Sequence, residues 1–196
     1  MDLTNIMCRQ LNLYDDLEQV ARLIYYTDDY IFPYLYRGKI DVAAKVISNM
    51  IRRNTIYNYK NILVALDGER IVGIVVSQKT PITMDLNVMC GCFVDAGVVV
   101  DDSFAKVYNE YYKLLENEPE GVYIANVCVD KLYRGMGIAQ RMLKTLLTQD
   151  ETYYLETVKA NVGALALYQK LGFEIQYEYG GFTDVPCYRM KRAQKK

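Results

Sequence analysis

The chain has no histidine among its 196 residues, and this absence removes more chemistry than any other feature of its composition. Ser-His-Asp and Cys-His hydrolase mechanisms need an imidazole that titrates near neutral pH. Acid–base work therefore falls to Asp, Glu, Tyr, Lys or water. Net charge is nearly absent too: 23 basic side chains against 24 acidic ones leave −1, with a pI near 5.6. No field of one sign gathers polyanions, so nucleic acid is not an expected partner. The C-terminal cluster Lys191, Arg192, Lys195 and Lys196 reads as a solvated end.

Long apolar runs are missing as well. Stretches such as Ile71 to Val76 fall well short of the roughly 20 residues that span a bilayer, so no membrane partner is expected. Cys8, Cys90, Cys92, Cys128 and Cys187 are odd in number and unevenly spaced, and the N-terminus carries charges where a signal peptide needs an apolar core. The expected compartment is reducing, the cytoplasm. Cys90-Gly91-Cys92 lacks the two-residue spacer of a zinc half-site, so no metal is expected and the thiols read as buried. With 52% apolar and 24% charged residues the composition is that of a soluble globular protein, and residues 1–196 read as one domain.

What is present is periodic. Acidic residues at Asp15, Asp16 and Glu18 precede an amphipathic pattern that predicts a helix from Asp15 to Tyr26. The aromatic segment Tyr25 to Tyr34 reads as an ordered loop, serving either as the wall of a substrate site or as packing on the core. A second helix is expected over Asp41 to Arg53. Ile62 to Leu66 and Arg70 to Ser77 are β-prone runs joined by Asp67-Gly68-Glu69, a hairpin signal. Pro81 to Val100 is mixed, with strand near Leu86 to Met89 and turns at Gly91 and Gly97, and Asp101 to Asn117 reads as a helix.

The last third is more regular. Val122 to Val129 reads as a strand, Gly137 to Leu147 as a helix, Tyr153 to Val158 as a strand and Asn161 to Leu171 as a helix. Phe173 to Tyr179 and Cys187 to Lys191 close the pattern as two strands around Gly180-Gly181. This order implies an α/β fold with a parallel step inside a mixed sheet, covered by helices on both faces.

Arg134-Gly135-Met136-Gly137 follows the apolar strand and opens the amphipathic helix. Unpaired backbone N–H groups and the helix dipole make such a junction a phosphate site. Glycines at 135 and 137 let the backbone approach a ligand and adopt positive φ, and Arg134 can add a charge-assisted contact. A P-loop would need Gly-x-x-x-x-Gly-Lys, which does not occur. A dinucleotide fold would need a third glycine where Gln140 stands.

Asn126 to Phe173 resembles the GCN5-related N-acetyltransferase (GNAT) family. Arg134-Gly135-Met136-Gly137-Ile138-Ala139 fits its motif Gln/Arg-x-x-Gly-x-Gly/Ala, and Asn161 to Phe173 is similar to its Asn-x-x-Ala-x-x-Leu-Tyr-x-x-x-Gly-Phe. The resemblance implies a mostly antiparallel sheet with one splayed parallel strand pair, and acetyl-CoA as co-substrate with its pyrophosphate on residues 134–139. It further implies that the backbone of Val127, Cys128 and Val129 pairs with the pantetheine arm. Asn161 would contact the same arm, with Ala164 among the coenzyme-binding residues. Tyr168 would stand near the thioester sulfur, where a phenol can protonate the departing thiolate.

Leu155-Glu156-Thr157 is similar to a segment of the ribosomal-protein-alanine acetyltransferases in which the matching glutamate serves as base, which makes Glu156 the candidate base here. The alternatives are a hydrogen bond within the sheet for Glu156, with Asp28, Asp29, or Asn126 through a water, as base. Cys128, inside an apolar strand, reads as buried rather than as an acyl carrier. The expected function is acetyl transfer from acetyl-CoA to a primary amine of a small molecule or peptide, by direct attack in a ternary complex. The alternative is a non-catalytic acyl-CoA-binding or regulatory module. The acceptor, the acyl chain length and a homodimer are left open.

Overall fold

The computed structural model describes residues 6–83, 85–101, 106, 119–147, 150–180 and 184–194. Strand β1 (Ile6–Gln10) leads into helices α1 (Leu17–Tyr25), α2 (Ile31–Leu35) and α3 (Ile40–Ile51). The hairpin β2 (Ile62–Asp67) and β3 (Arg70–Thr80) follows, then α4 (Leu86–Val94) and β4 (Gly121–Val129). The remaining described elements are α5 (Ile138–Leu146), β5 (Tyr153–Val158), α6 (Val162–Lys170), β6 (Glu174–Gly180) and β7 (Pro186–Arg192). The strands form one seven-stranded sheet, ordered β1-β2-β3-β4-β5-β7-β6. Every pairing is antiparallel except β4 with β5.

Both faces of the sheet are covered, which is why its central strands are apolar at nearly every position. Along β2, Ile62, Val64 and Leu66 enter the core beneath α1, α3 and α4, while Ala65 enters the one beneath α5. On β5, Tyr154 belongs to the first core, and Tyr153 and Leu155 to the second. Helix α3 buries Ala43, Ala44, Val46, Ile47, Met50 and Ile51, and each larger side chain among these contributes roughly 1.5–3 kcal/mol. Asp16 caps α1 by accepting from Gln19 N at 2.9 Å, a bond worth about 1 kcal/mol.

Three sequence expectations change. The strand expected near Leu86 to Met89, with a turn at Gly91, is the helix α4. A short apolar run fits either period, and here Asp85 decides it by accepting from Asn87 N and Val88 N, while Met89, Cys92 and Phe93 share one buried face. The aromatic loop contains α2, which Asp28 starts by accepting from the backbone N–H groups of Tyr30 and Ile31. The edge strand β1 went unforeseen, because five residues with only Ile6 buried carry little periodic signal. The helix expected over residues 101–117 lies almost wholly outside the described residues, as does Gly181 of the last turn.

Candidate active site

Strands β4 and β5 pair only at Val122↔Tyr153, Tyr123↔Tyr154 and Ile124↔Leu155. Beyond that point β4 stays bonded to β3 as far as Val129, and β5 stays bonded to β7 as far as Val158. The two strands therefore diverge, and the β5-facing edge of Val127, Cys128 and Val129 has no strand partner. A bulge marks the divergence: Val76 pairs with Asn126 and Ser77 with Ile124, so Ala125 is an extra residue. Bulges bend a strand and re-aim its side chains.

The chain leaves β4 into a pinned turn. Asp130 accepts from Leu132 N at 3.0 Å and forms an ion pair with Arg70 at 2.9 Å, while the Tyr133 hydroxyl donates to Asp67 at 2.9 Å. Gly135 and Gly137 then take φ of +78° and +76°, and a Cβ placed on either would meet nothing within 4 Å. Gly137 begins α5 with no side-chain cap, so the first-turn N–H groups remain available to an anion. An open concavity of about 730 Å³ runs on from Gly137 along Gln140, Arg141, Lys144 and Thr145. Arg134 is partly committed, since its Nε donates to Val129 O at 3.1 Å.

Tyr168, on α6, is buried in the core beneath α5 and meets Phe173 edge-on at 6.0 Å. Burial pushes its phenol up to about 12, so it holds its proton at neutral pH. Asn161 caps α6 by accepting from Ala164 N at 3.1 Å. Glu156 is exposed and shares its sheet face with Tyr154, opposite Tyr153 and Leu155. Its Oε1 lies 3.3 Å from Nη1 of Arg189, whose guanidinium lies against Tyr123 at 5.4 Å and Tyr154 at 5.1 Å. The Tyr179 phenol also bonds to Glu156, and burial, then the carboxylate's charge, push it far up, so it is the donor.

Residues 26–173 match the model of the acetyltransferase (GNAT) family. The chain belongs to that family. Among solved structures, an acetyltransferase aligns with a TM-score of 0.68 at 20% identity, covering 96% of this chain and 100% of that one. The structure of the NatC complex bound to Gag peptide and CoA aligns at 0.57 and 17% identity, over 97% and 99%. The ribosomal-protein-S18-alanine N-acetyltransferase from Escherichia coli aligns at 0.56 and 14% identity, over 97% and 95%. At such identities the likeness is one of fold. No curated protein matches the chain in sequence.

In this GNAT chain the open β4 edge, Arg134 to Ala139 and the start of α6 all lie where β4 and β5 part. Glu156 does not join Tyr168: the carboxylate belongs to the face beneath α1–α4 and the phenol to the face beneath α5 and α6. Asp28 is engaged by the backbone N–H groups of Tyr30 and Ile31, and Asp29 is exposed. The aromatic side chains of this segment divide by burial. Tyr25, Phe32 and Tyr36 stack in the core, while Tyr26, Tyr30 and Tyr34 stay exposed. Burial raises the Cys128 thiol, and the Arg134 cation beside it does not offset this. Sequence reasoning missed Arg189 and Tyr179, whose only link to Glu156 is pairing across β5, β7 and β6.

Proposed function

We propose that this chain transfers the acetyl group of acetyl-CoA to a primary amine by direct attack in a ternary complex. The observation that carries the reading is the uncapped start of α5, where two positive-φ glycines leave open space beside the diverging strands. Backbone N–H groups and the helix dipole there suit a diphosphate. The edge of Val127, Cys128 and Val129, without a strand partner, suits the amides of an extended arm, and in this reading Asn161 and Ala164 contact the same arm. The thioester supplies an activated acetyl group; the amine nitrogen bonds to its carbonyl carbon and the carbon–sulfur bond breaks.

Two side chains then manage protons. Glu156, an exposed carboxylate held by Arg189 and Tyr179, takes the ammonium proton directly or through water. Tyr168 serves the sulfur. A phenol pushed up to about 12 is a weaker acid than an ordinary thiol, so full proton transfer to the thiolate is uphill. Its contribution is therefore a hydrogen bond that strengthens as the sulfur becomes anionic; the nitrogen sheds its second proton to solvent as the amide forms, and the sulfur takes one up to end as the thiol.

Calorimetric titration with acetyl-CoA, followed by a thiol-release screen of polyamines, aminoglycosides, amino acids and N-terminal peptides, tests the reading. Binding together with release by at least one amine is expected. Binding without release across the panel makes the chain a non-catalytic acyl-CoA module, and absence of binding removes the coenzyme site.

A further inference from the structure

Asn126 sits at the β4 bulge with its side chain buried, 8% exposed. Its amide Nδ2 donates to Thr27 Oγ1 at 2.7 Å, and the Thr27 hydroxyl donates its one proton to Ile24 O at 2.6 Å. That chain of bonds fixes which way the amide points. Thr27 Oγ1 can only accept from Asn126, so flipping the amide would set two acceptor oxygens against each other. The carbonyl Oδ1 is consequently left over. Among the described residues it is the one buried side-chain nitrogen or oxygen with no hydrogen-bond partner. Such an atom calls for a donor that the described residues do not supply, a bound water or a ligand group.

Two observations say which donor. Asn126 reaches Thr27 at the end of α1, so its side chain belongs to the face beneath α1–α4, whereas α5 and Tyr168 cover the other face. Glu156 lies on the same face as Asn126, one residue past the last β4–β5 pair, Ile124↔Leu155. Asn126 and Glu156 thus lie on the same face, on the two strands and just past the point where they part. Resting on the acetyl-transfer reading above, we propose that Asn126 Oδ1 accepts an N–H from the acceptor amine and makes the site selective for primary amines over alcohols.

The selection follows from counting protons. A primary ammonium that gives one proton to a base still has two N–H bonds, one for Asn126 and one to spare. An alcohol that gives up its proton has none, and the carbonyl stays unpaired while negative oxygen approaches it. The bond to Oδ1 also fixes rotation about the C–N axis, which orients the lone pair that proton loss creates.

The test uses 15N-labelled full-length protein saturated with CoA, with the Asn126 side-chain amide assigned through bonds. n-Butylammonium is titrated in, with tetramethylammonium and n-butanol as probes that lack an N–H. A saturable shift of the Asn126 amide with n-butylammonium alone is expected. No shift, or equal shifts with tetramethylammonium, would overturn the proposal. So would a shift produced by CoA that n-butylammonium leaves unchanged, which would make the coenzyme's own amide the donor. Failure of CoA to perturb the backbone amides of residues 138–140 would instead count against the acetyl-transfer reading.

Discussion

Arg189 and Glu156 form an ion pair of unequal halves: the guanidinium is buried between Tyr123 and Tyr154, and the carboxylate is exposed. The cation is built into the sheet, and Glu156 is the part of the pair that a substrate can reach. Glu156→Gln keeps a hydrogen-bond acceptor for Arg189 and removes the base. We expect a loss of about 1 kcal/mol in urea unfolding together with a fall in turnover of at least about 100-fold. Turnover within a factor of about three of wild type would assign the base elsewhere. Arg189→Met gives up the ring contacts and leaves Glu156 and Tyr179 without the cation, and is expected to cost about 1–2 kcal/mol in stability.

Gly137 combines a φ of +76° with open space where a side chain would project. Gly137→Ala should lose roughly 1–2 kcal/mol of stability from the left-handed backbone alone. Gly137→Asp carries the same strain, and it also places negative charge where the pyrophosphate is proposed to sit. Calorimetry should show acetyl-CoA affinity falling much further in Gly137→Asp than in Gly137→Ala. Equal affinity in the two variants would remove the diphosphate from this turn.

Tyr168 gives a prediction in pH. Its folded value, about 12, lies above the ordinary 10, so the protonated phenol favours the folded state. That contribution is complete below the ordinary value and is lost as pH rises through the folded one, by about 3 kcal/mol in all. Chemical unfolding at about pH 9 and about pH 11.5 should show a smaller drop for Tyr168→Phe than for wild type. The same variant should lower turnover without weakening acetyl-CoA binding, and wild-type turnover would remove its role at the sulfur.

Asp28 separates structure from chemistry. Asp28→Asn keeps an oxygen able to accept from Tyr30 N and Ile31 N, so stability should stay within about 0.5 kcal/mol of wild type, while Asp28→Ala should lose about 1 kcal/mol. Turnover is expected to survive in Asp28→Asn. A large loss there, with stability unchanged, would make Asp28 the base in place of Glu156.

Local rules account for what could be read in advance. The Asp67-Gly68 turn, the amphipathic spacing of α1 and α5, and the glycines at 135 and 137 each depend on residues a few positions apart. Both GNAT motifs are continuous segments, so family and fold class were legible from the chain. Segment 86–94 was misread because its apolar run fits two periods, and the choice rested on one cap and on packing against α3.

Tertiary structure alone decided how the site's two faces divide. Tyr168 and Glu156 are 12 residues apart in sequence, yet a strand's alternation and a helix's rotation carry them to opposite sides of the sheet. Arg189 and Tyr179 reach Glu156 only because β7 inserts between β5 and β6. The orphaned carbonyl of Asn126 exists only because a bulge and the end of α1 meet. A hydrogen bond left unmade is a property of three-dimensional surroundings, and no spacing of residues along the chain encodes it.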